Sequence, residues 1–274
     1  MISKTVRINT KLITKAVAEL CKKANIMMTD DTYQALSRAY ENESSSKAKN
    51  VLAQILKNAR LAAFLERPLC QDTGLVVVFA EIGQNVHLVG SSFEDAVNQG
   101  VSNCYIRNYF RKSVVKKPLF TRINTESNTP AVIHTKIVPG NSIKLSVSIK
   151  GAGSENMSAV KMFKPSADSS EIVDFVVKTV KQAGANPCPP IRLGIGIGGS
   201  FEQAAILAKK ALLEPIKSEE YLKKRAEKDK IAELQCEIFK KVNELGVGAA
   251  GMGGNNTIYG VNILTSSTHI AALP

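Results

Sequence analysis

Two short runs, far apart in the chain, limit it most: Cys70-Gln71-Asp72-Thr73-Gly74 and Asn186-Pro187-Cys188-Pro189-Pro190. The first sets a sulfur ligand, an amide and a carboxylate side by side, just before the apolar stretch Leu75–Ala80, which reads as a buried strand. A thiolate, a titratable acid and a hydrogen-bonding amide at the rim of a strand are the parts of a metal-assisted acid–base site. In the second run three prolines surround the cysteine and keep a helix from forming through it.

The other cysteines, Cys21, Cys104 and Cys236, sit inside helical apolar patterns and read as small buried hydrophobes. Five cysteines, an odd number with wide spacing and no Cys-x-x-Cys pair, exclude a disulfide framework and a zinc ribbon. No apolar run reaches the ~18 residues of a membrane span. The lead-in Met1–Arg7 lacks the apolar centre of a secretory signal, so the chain reads as cytoplasmic.

The formal charge of +12 raises the alternative of a non-enzymatic basic protein that binds nucleic acid or an acidic partner. Its densest basic stretch, Lys217–Lys230, interleaves Glu219, Glu220, Glu227 and Asp229, the pattern of a solvated helix face. Aromatics make up 5% and Trp is absent, so no base-stacking platform is apparent. An anionic small substrate or an acidic partner subunit suits such a field better.

Periodicity predicts an α+β fold in a single domain, residues 1–274, in which an N-terminal helical part, about 1–68, precedes a mixed β-sheet flanked by helices. Thr10 is the expected cap of the first helix, and Asp30 and Asp31 open the second. Leu75–Glu81 and Val86–Val89 flank Gly83-Gln84-Asn85 like a hairpin. Ala131–Val138 and Ile143–Ile149 alternate like paired strands around Pro139-Gly140-Asn141. Phe93–Phe110 and Glu219–Leu245 read as single helices.

Three segments are rich in glycine: 151–156, 194–199 and 246–256. The Gly-x-Gly-x-Gly-Gly spacing of Gly194–Gly199 departs from the dinucleotide fingerprint, and no later strand ends in the required acid. What remains is a tight strand-to-helix turn whose N–H groups would seat a carboxylate. Three such segments and two cysteines among turn residues point to one shared site.

Cys70–Gly74, Tyr105–Arg111, Asn128-Thr129-Pro130-Ala131, Gly151–Asn156, Cys188-Pro189-Pro190, Gly198-Gly199 and Thr268–Pro274 together carry a family resemblance. Over nearly its whole length the chain resembles the alpha subunit, or N-terminal half, of class I iron–sulfur-dependent fumarate hydratases and the related L-tartrate dehydratases. The resemblance implies reversible hydration of fumarate to L-malate within the tricarboxylic acid cycle, or conversion of tartrate to oxaloacetate. It implies a 4Fe-4S cluster with Cys70 and Cys188 as ligands, and a third cysteine expected beyond Pro274, in a C-terminal end that this chain lacks. It further implies that Gln71 hydrogen-bonds the substrate, that Asp72 protonates the departing hydroxyl, and that Arg111 clamps a carboxylate. Gly153 would offer backbone contact, and His269 would lie near Asp72 and relay its proton. A beta subunit would supply the proton-abstracting base, in a dimer of alpha–beta pairs. The chain alone, without that subunit and the third cysteine, would be inactive. Neither nucleic acid nor membrane is an expected partner.

Overall fold

The computed structural model describes residues 5–274, so the first four residues of the Met1–Arg7 lead-in lie outside the described residues. In chain order the first elements are β1 (Val6–Asn9), α1 (Thr10–Ile26), α2 (Asp30–Asn42), α3 (Ser46–Leu65), β2 (Leu75–Gly83), β3 (Val86–Val89) and α4 (Phe93–Arg107). Then follow β4 (Val115–Lys116), β5 (Ile123–Asn124), β6 (Val132–Val138), β7 (Ile143–Lys150), α5 (Ala152–Glu155) and α6 (Ser169–Ala183). The last are β8 (Ile191–Gly198), α7 (Phe201–Ala211), α8 (Glu219–Ala226), α9 (Lys230–Asn243) and β9 (Ile258–Ser266). The class is α+β, as expected, but the strands divide among several small sheets. The described residues form two compact units, 5–28 with 59–152, and 29–58 with 153–274.

In the first unit β2 lies between β6, to which it is parallel, and β7, to which it is antiparallel. Val76 and Val78 of β2 are fully buried beside Val17 and Cys21 of α1 and Val97, Val101 and Cys104 of α4. Helices α1 and α4 pack closely because Gly100 has no side chain: a Cβ there would meet the Thr14 carbonyl and the Val17 side chain. This arrangement corrects two expected pairings. With both edges of β2 occupied, β3 has no place beside it and pairs in parallel with β1 instead. Likewise β6 and β7 are separated by β2, and their connection wraps the end of β2 at Gly83. A Cβ at Gly83 would strike the Gly140 carbonyl and the Asn141 nitrogen.

In the second unit β8 and β9 pair in parallel from Ile191–Ile258 to Gly198–Ser266. Alternate β8 residues face opposite ways. Ile191, Leu193, Ile195 and Ile197 pack on the core of α6 and α9, around Val173, Val180, Ile238 and Val242. Gly194 and Gly196 lie against the backbone of α7. The glycine run is therefore one face of a strand, shaped for a close helix.

Smaller differences have local causes. Asn9, not Thr10, caps α1 by accepting from Lys11 N, while Thr10 Oγ1 meets Ser91 Oγ at 3.2 Å. Thr29 is the N-cap of α2. Helix α4 stops at Arg107, where Asn108 donates back to the Cys104 carbonyl. The long charged helix is two, because Asp229 accepts from Ile231 N and Ala232 N and so starts α9 afresh. No described helix is long and apolar enough to cross a membrane.

A methyl group at Gly196 would collide with the Ala204 carbonyl and the Ala208 nitrogen, backbone atoms that cannot swing away. Gly196→Ala is expected to destabilise the protein by about 2–3 kcal/mol, read as a lower urea midpoint with unchanged slope. An unchanged midpoint would refute the close strand–helix packing.

Candidate active site

Helix α3 ends at Leu65, Glu66 takes a left-handed φ of 51°, and Leu69 N donates to the Asn25 carbonyl, delivering the chain to Cys70. Cys70 Sγ is exposed and accepts the Asp72 N–H at 3.4 Å. It also lies 3.3 Å from Gln71 Oε1. Asp72 is half-buried, with both carboxylate oxygens engaged: Oδ1 accepts from Gly74 N at 3.0 Å and Oδ2 from Ala152 N at 2.8 Å. The first bond closes a tight Asx turn. The second ties the acid to the residue before Gly153. Gly74 has φ +62°, and a Cβ there would strike the Lys150 carbonyl, so only glycine enters β2 this way.

A buried frame joins this turn to the Arg111 segment. Thr73 Oγ1 donates to the Arg111 carbonyl at 2.6 Å. Tyr105 Oη donates to the Thr73 carbonyl, and burial pushes the Tyr105 phenol well above its ordinary range. Asn128, with no exposed surface, donates from Nδ2 to the Gly74 carbonyl at 3.0 Å and accepts Ser113 N at Oδ1 at 2.7 Å. Asp72 and Arg111, 39 positions apart, thus sit on backbones fixed to each other, with the Arg111 side chain exposed. Sequence reasoning gave Thr73, Tyr105 and Asn128 no role, although all lie within the runs that carried the resemblance.

In the second unit Cys188 is exposed and left-handed at φ 58°. Its loop meets two of the glycine-rich segments. Gly153 lies under the Asn186 carbonyl, which a Cβ would approach to 3.0 Å. Ala250 N donates to the Pro189 carbonyl at 2.6 Å. His269 is exposed, and its Nδ1 accepts Ala271 N at 3.1 Å. It follows β9, whereas Cys188 precedes β8, so the two flank opposite ends of the parallel pair. The expected carboxylate seat at Gly198-Gly199 is not there. Gly198 N donates to the Pro274 carbonyl, Gly199 N to the Ser267 carbonyl, and Ser200 N to Gln203 Oε1. The turn instead anchors the His269 loop, with Thr268 Oγ1 on the Gly199 carbonyl at 2.8 Å.

The thiols fall into distinct environments. Burial pushes Cys104 up to about 11 and Cys21 higher still, so neither is a ready ligand. Cys236 is half-buried on α9 and also raised by burial. Cys70 and Cys188 are both exposed, and Cys70 already receives a backbone N–H. As soft, accessible donors on turns they fit an iron–sulfur cluster. Among the described residues no group of three or more His, Cys, Asp or Glu side chains converges.

The family described as fumarate hydratase (fumerase) matches residues 14–274. The chain belongs to this family of hydro-lyases. A relative in Methanocaldococcus jannaschii, named putative L(+)-tartrate dehydratase subunit alpha, is 40% identical over 268 residues, 96% of this chain and 91% of that protein. The L(+)-tartrate dehydratase subunit alpha of Escherichia coli is 31% identical over 261 residues, 94% of this chain and 83% of that protein. Family membership displaces a purely non-enzymatic reading of the basic surface.

A buried acid shapes the loop that meets Cys188. Glu43, 4% exposed, accepts from Asn256 Nδ2 at 2.8 Å, Ser45 N at 2.9 Å and Asn255 N at 3.1 Å. Burial raises its pKa, but hydrogen bonds from Asn256, Ser45, Asn255 and Ser44 outweigh it and hold the carboxyl below its ordinary value.

Two outcomes follow from these buried groups. Asn128→Ala strands the Ser113 N–H and leaves the Gly74 carbonyl only the longer contact with Tyr105 Oη at 3.4 Å, and is expected to cost about 2–3 kcal/mol in chemical denaturation. A loss under about 0.5 kcal/mol, the scatter of surface changes, would remove Asn128 from the frame. Glu43 has a folded pKa below its unfolded value of about 4.3, so its contribution is complete above that value and fades as pH falls through the folded one. Glu43→Gln should therefore lower the melting temperature at neutral pH, and the gap from wild type should narrow below about pH 4. A gap that stays constant down to acid pH would contradict this.

Proposed function

We propose that this chain is the alpha-type catalytic subunit of a two-subunit iron–sulfur hydro-lyase that interconverts fumarate and L-malate. The supporting observation is Asp72, held through both carboxylate oxygens beside an exposed thiol and fixed through Thr73 to the Arg111 backbone. Residues 1–274 would act as one alpha-type catalytic domain.

Cys70 and Cys188 would be two of the cysteine ligands of a 4Fe-4S cluster. When bound, the cluster supplies an iron without a protein ligand, a Lewis acid for the substrate hydroxyl and carboxylate. The chain's own groups do the rest. Gly74 N and Ala152 N fix the position of the Asp72 carboxyl, which would give a proton to the departing hydroxyl and take it back in the reverse reaction. Arg111 offers its planar fork to a substrate carboxylate. Gln71, next to the thiol, hydrogen-bonds the substrate, and Gly153 contributes backbone contact. His269, whose Nδ1 already accepts Ala271 N, would relay the Asp72 proton through Nε2. The names of the relatives imply a beta-type subunit, which would supply the base that takes the carbon-bound proton, in a dimer of pairs. Those same names favour a second substrate, L-tartrate, dehydrated to oxaloacetate by the same steps.

The test is the anaerobically reconstituted pair, assayed with L-malate and L-tartrate. Asp72→Asn is expected to lower turnover at least about 100-fold while the cluster absorption is retained. Retained turnover would remove Asp72 from the chemistry. Turnover of tartrate but not malate would select the second substrate.

A further inference from the structure

The segment after Arg111 combines an ordered backbone with exposed apolar side chains. Strands β4 and β5 form a hairpin pairing Val115 with Asn124 and Lys116 with Ile123. Its loop is closed by Phe120 N and Arg122 N, which both donate to the Lys117 carbonyl at 3.1 Å. Its base is closed by Asn124 Nδ2 on the Lys112 carbonyl at 2.8 Å and by Thr125 N on the Val114 carbonyl at 2.9 Å. Yet the side chains that should reward this order face solvent. Tyr109 is 89% exposed, Leu119 and Phe120 80% each, and Ile123 52%. A two-stranded hairpin of this length is not stable by itself, and a cluster of exposed apolar side chains on a preformed loop marks an interaction surface.

Charge narrows the partner. Residues 109–125 hold Arg111, Lys112, Lys116, Lys117 and Arg122 and no acid. Among the described residues none of these cations forms an ion pair. On the charged helices, by contrast, lysines pair within their own element, as Lys223 does with Glu219 and Lys241 with Glu237. A second copy of this chain, at net +12, would bring like charge against like. The complementary surface is an apolar patch rimmed by carboxylates.

We propose that the β4–β5 hairpin docks the beta-type subunit, its apolar tip entering an acid-rimmed hollow on that subunit. This rests on the two-subunit reading and deepens it. The hairpin continues directly from Arg111, so the same contact would bring the partner's groups to the carboxylate clamp. Its order before binding lowers the cost of association.

The experiment measures binding of the full chain to its beta-type subunit by titration calorimetry, with circular dichroism confirming that each variant folds. Leu119→Ser with Phe120→Ser, and separately Lys116→Glu with Lys117→Glu, should each weaken binding at least about tenfold. Lys223→Glu, the same charge change on α8, should leave it unchanged. Wild-type affinity should fall with added salt, and the Lys116/Lys117 variant should lose most of that dependence. Equal affinity of wild type and both hairpin variants would overturn the proposal while leaving the two-subunit reading intact. Failure of the wild-type pair to associate would overturn both. A wild-type dimer made monomeric by the Leu119/Phe120 change would assign the surface to a second copy instead. Duplex DNA retained at physiological salt through these residues would assign it to nucleic acid.

Discussion

The backbone of residues 69–74 is held from several directions at once. Leu69 N reaches Asn25, Tyr105 and Asn128 bond the carbonyls of Thr73 and Gly74, Thr73 reaches Arg111, and Asp72 takes N–H groups from Gly74 and Ala152. Buried carbonyls and amides left unpaired would each cost a substantial part of a protein's marginal stability. Satisfying them leaves this turn one arrangement. The acid and thiol on it are fixed because the chain around them has no alternative pairing.

Steric room settles much else. Gly74 and Gly83 let other backbone pass the two ends of β2, Gly100 lets α1 and α4 approach, and Gly194 and Gly196 let α7 lie on β8. Their common role is to let one stretch of backbone come close to another, which a Cβ would prevent. In the 246–256 segment glycine again makes room: a Cβ at Gly254 would meet the Glu43 carboxylate that anchors the loop.

The two exposed thiols and the two buried ones show the same residue type sorted by surroundings. Cys21 and Cys104 lie in the α1–α4 core, where desolvation disfavours the thiolate. Cys70 and Cys188 lie on turns that helices and strands cannot extend through, where sulfur stays accessible. Polar and proline neighbours in the sequence already marked that difference.

The sequence by itself determined the α+β class, the amphipathic helices, the buried character of β2 and the placing of Cys70 and Cys188 on accessible turns, because these follow from short-range periodicity and from polar and proline neighbours. Only the tertiary structure decided which strands pair. Leu75–Gly83 lost its expected hairpin partner because β6 and β7 fill both its edges, and edge occupancy is a property of distant segments. The break at Asp229 turned on one side chain competing for backbone N–H groups. The roles of Thr73, Tyr105 and Asn128 became visible only once bonds across 32 to 54 positions were in place. Hydrogen-bond partners that far apart leave no periodic trace in a single chain, so the frame around Asp72 could not be read before the fold was known.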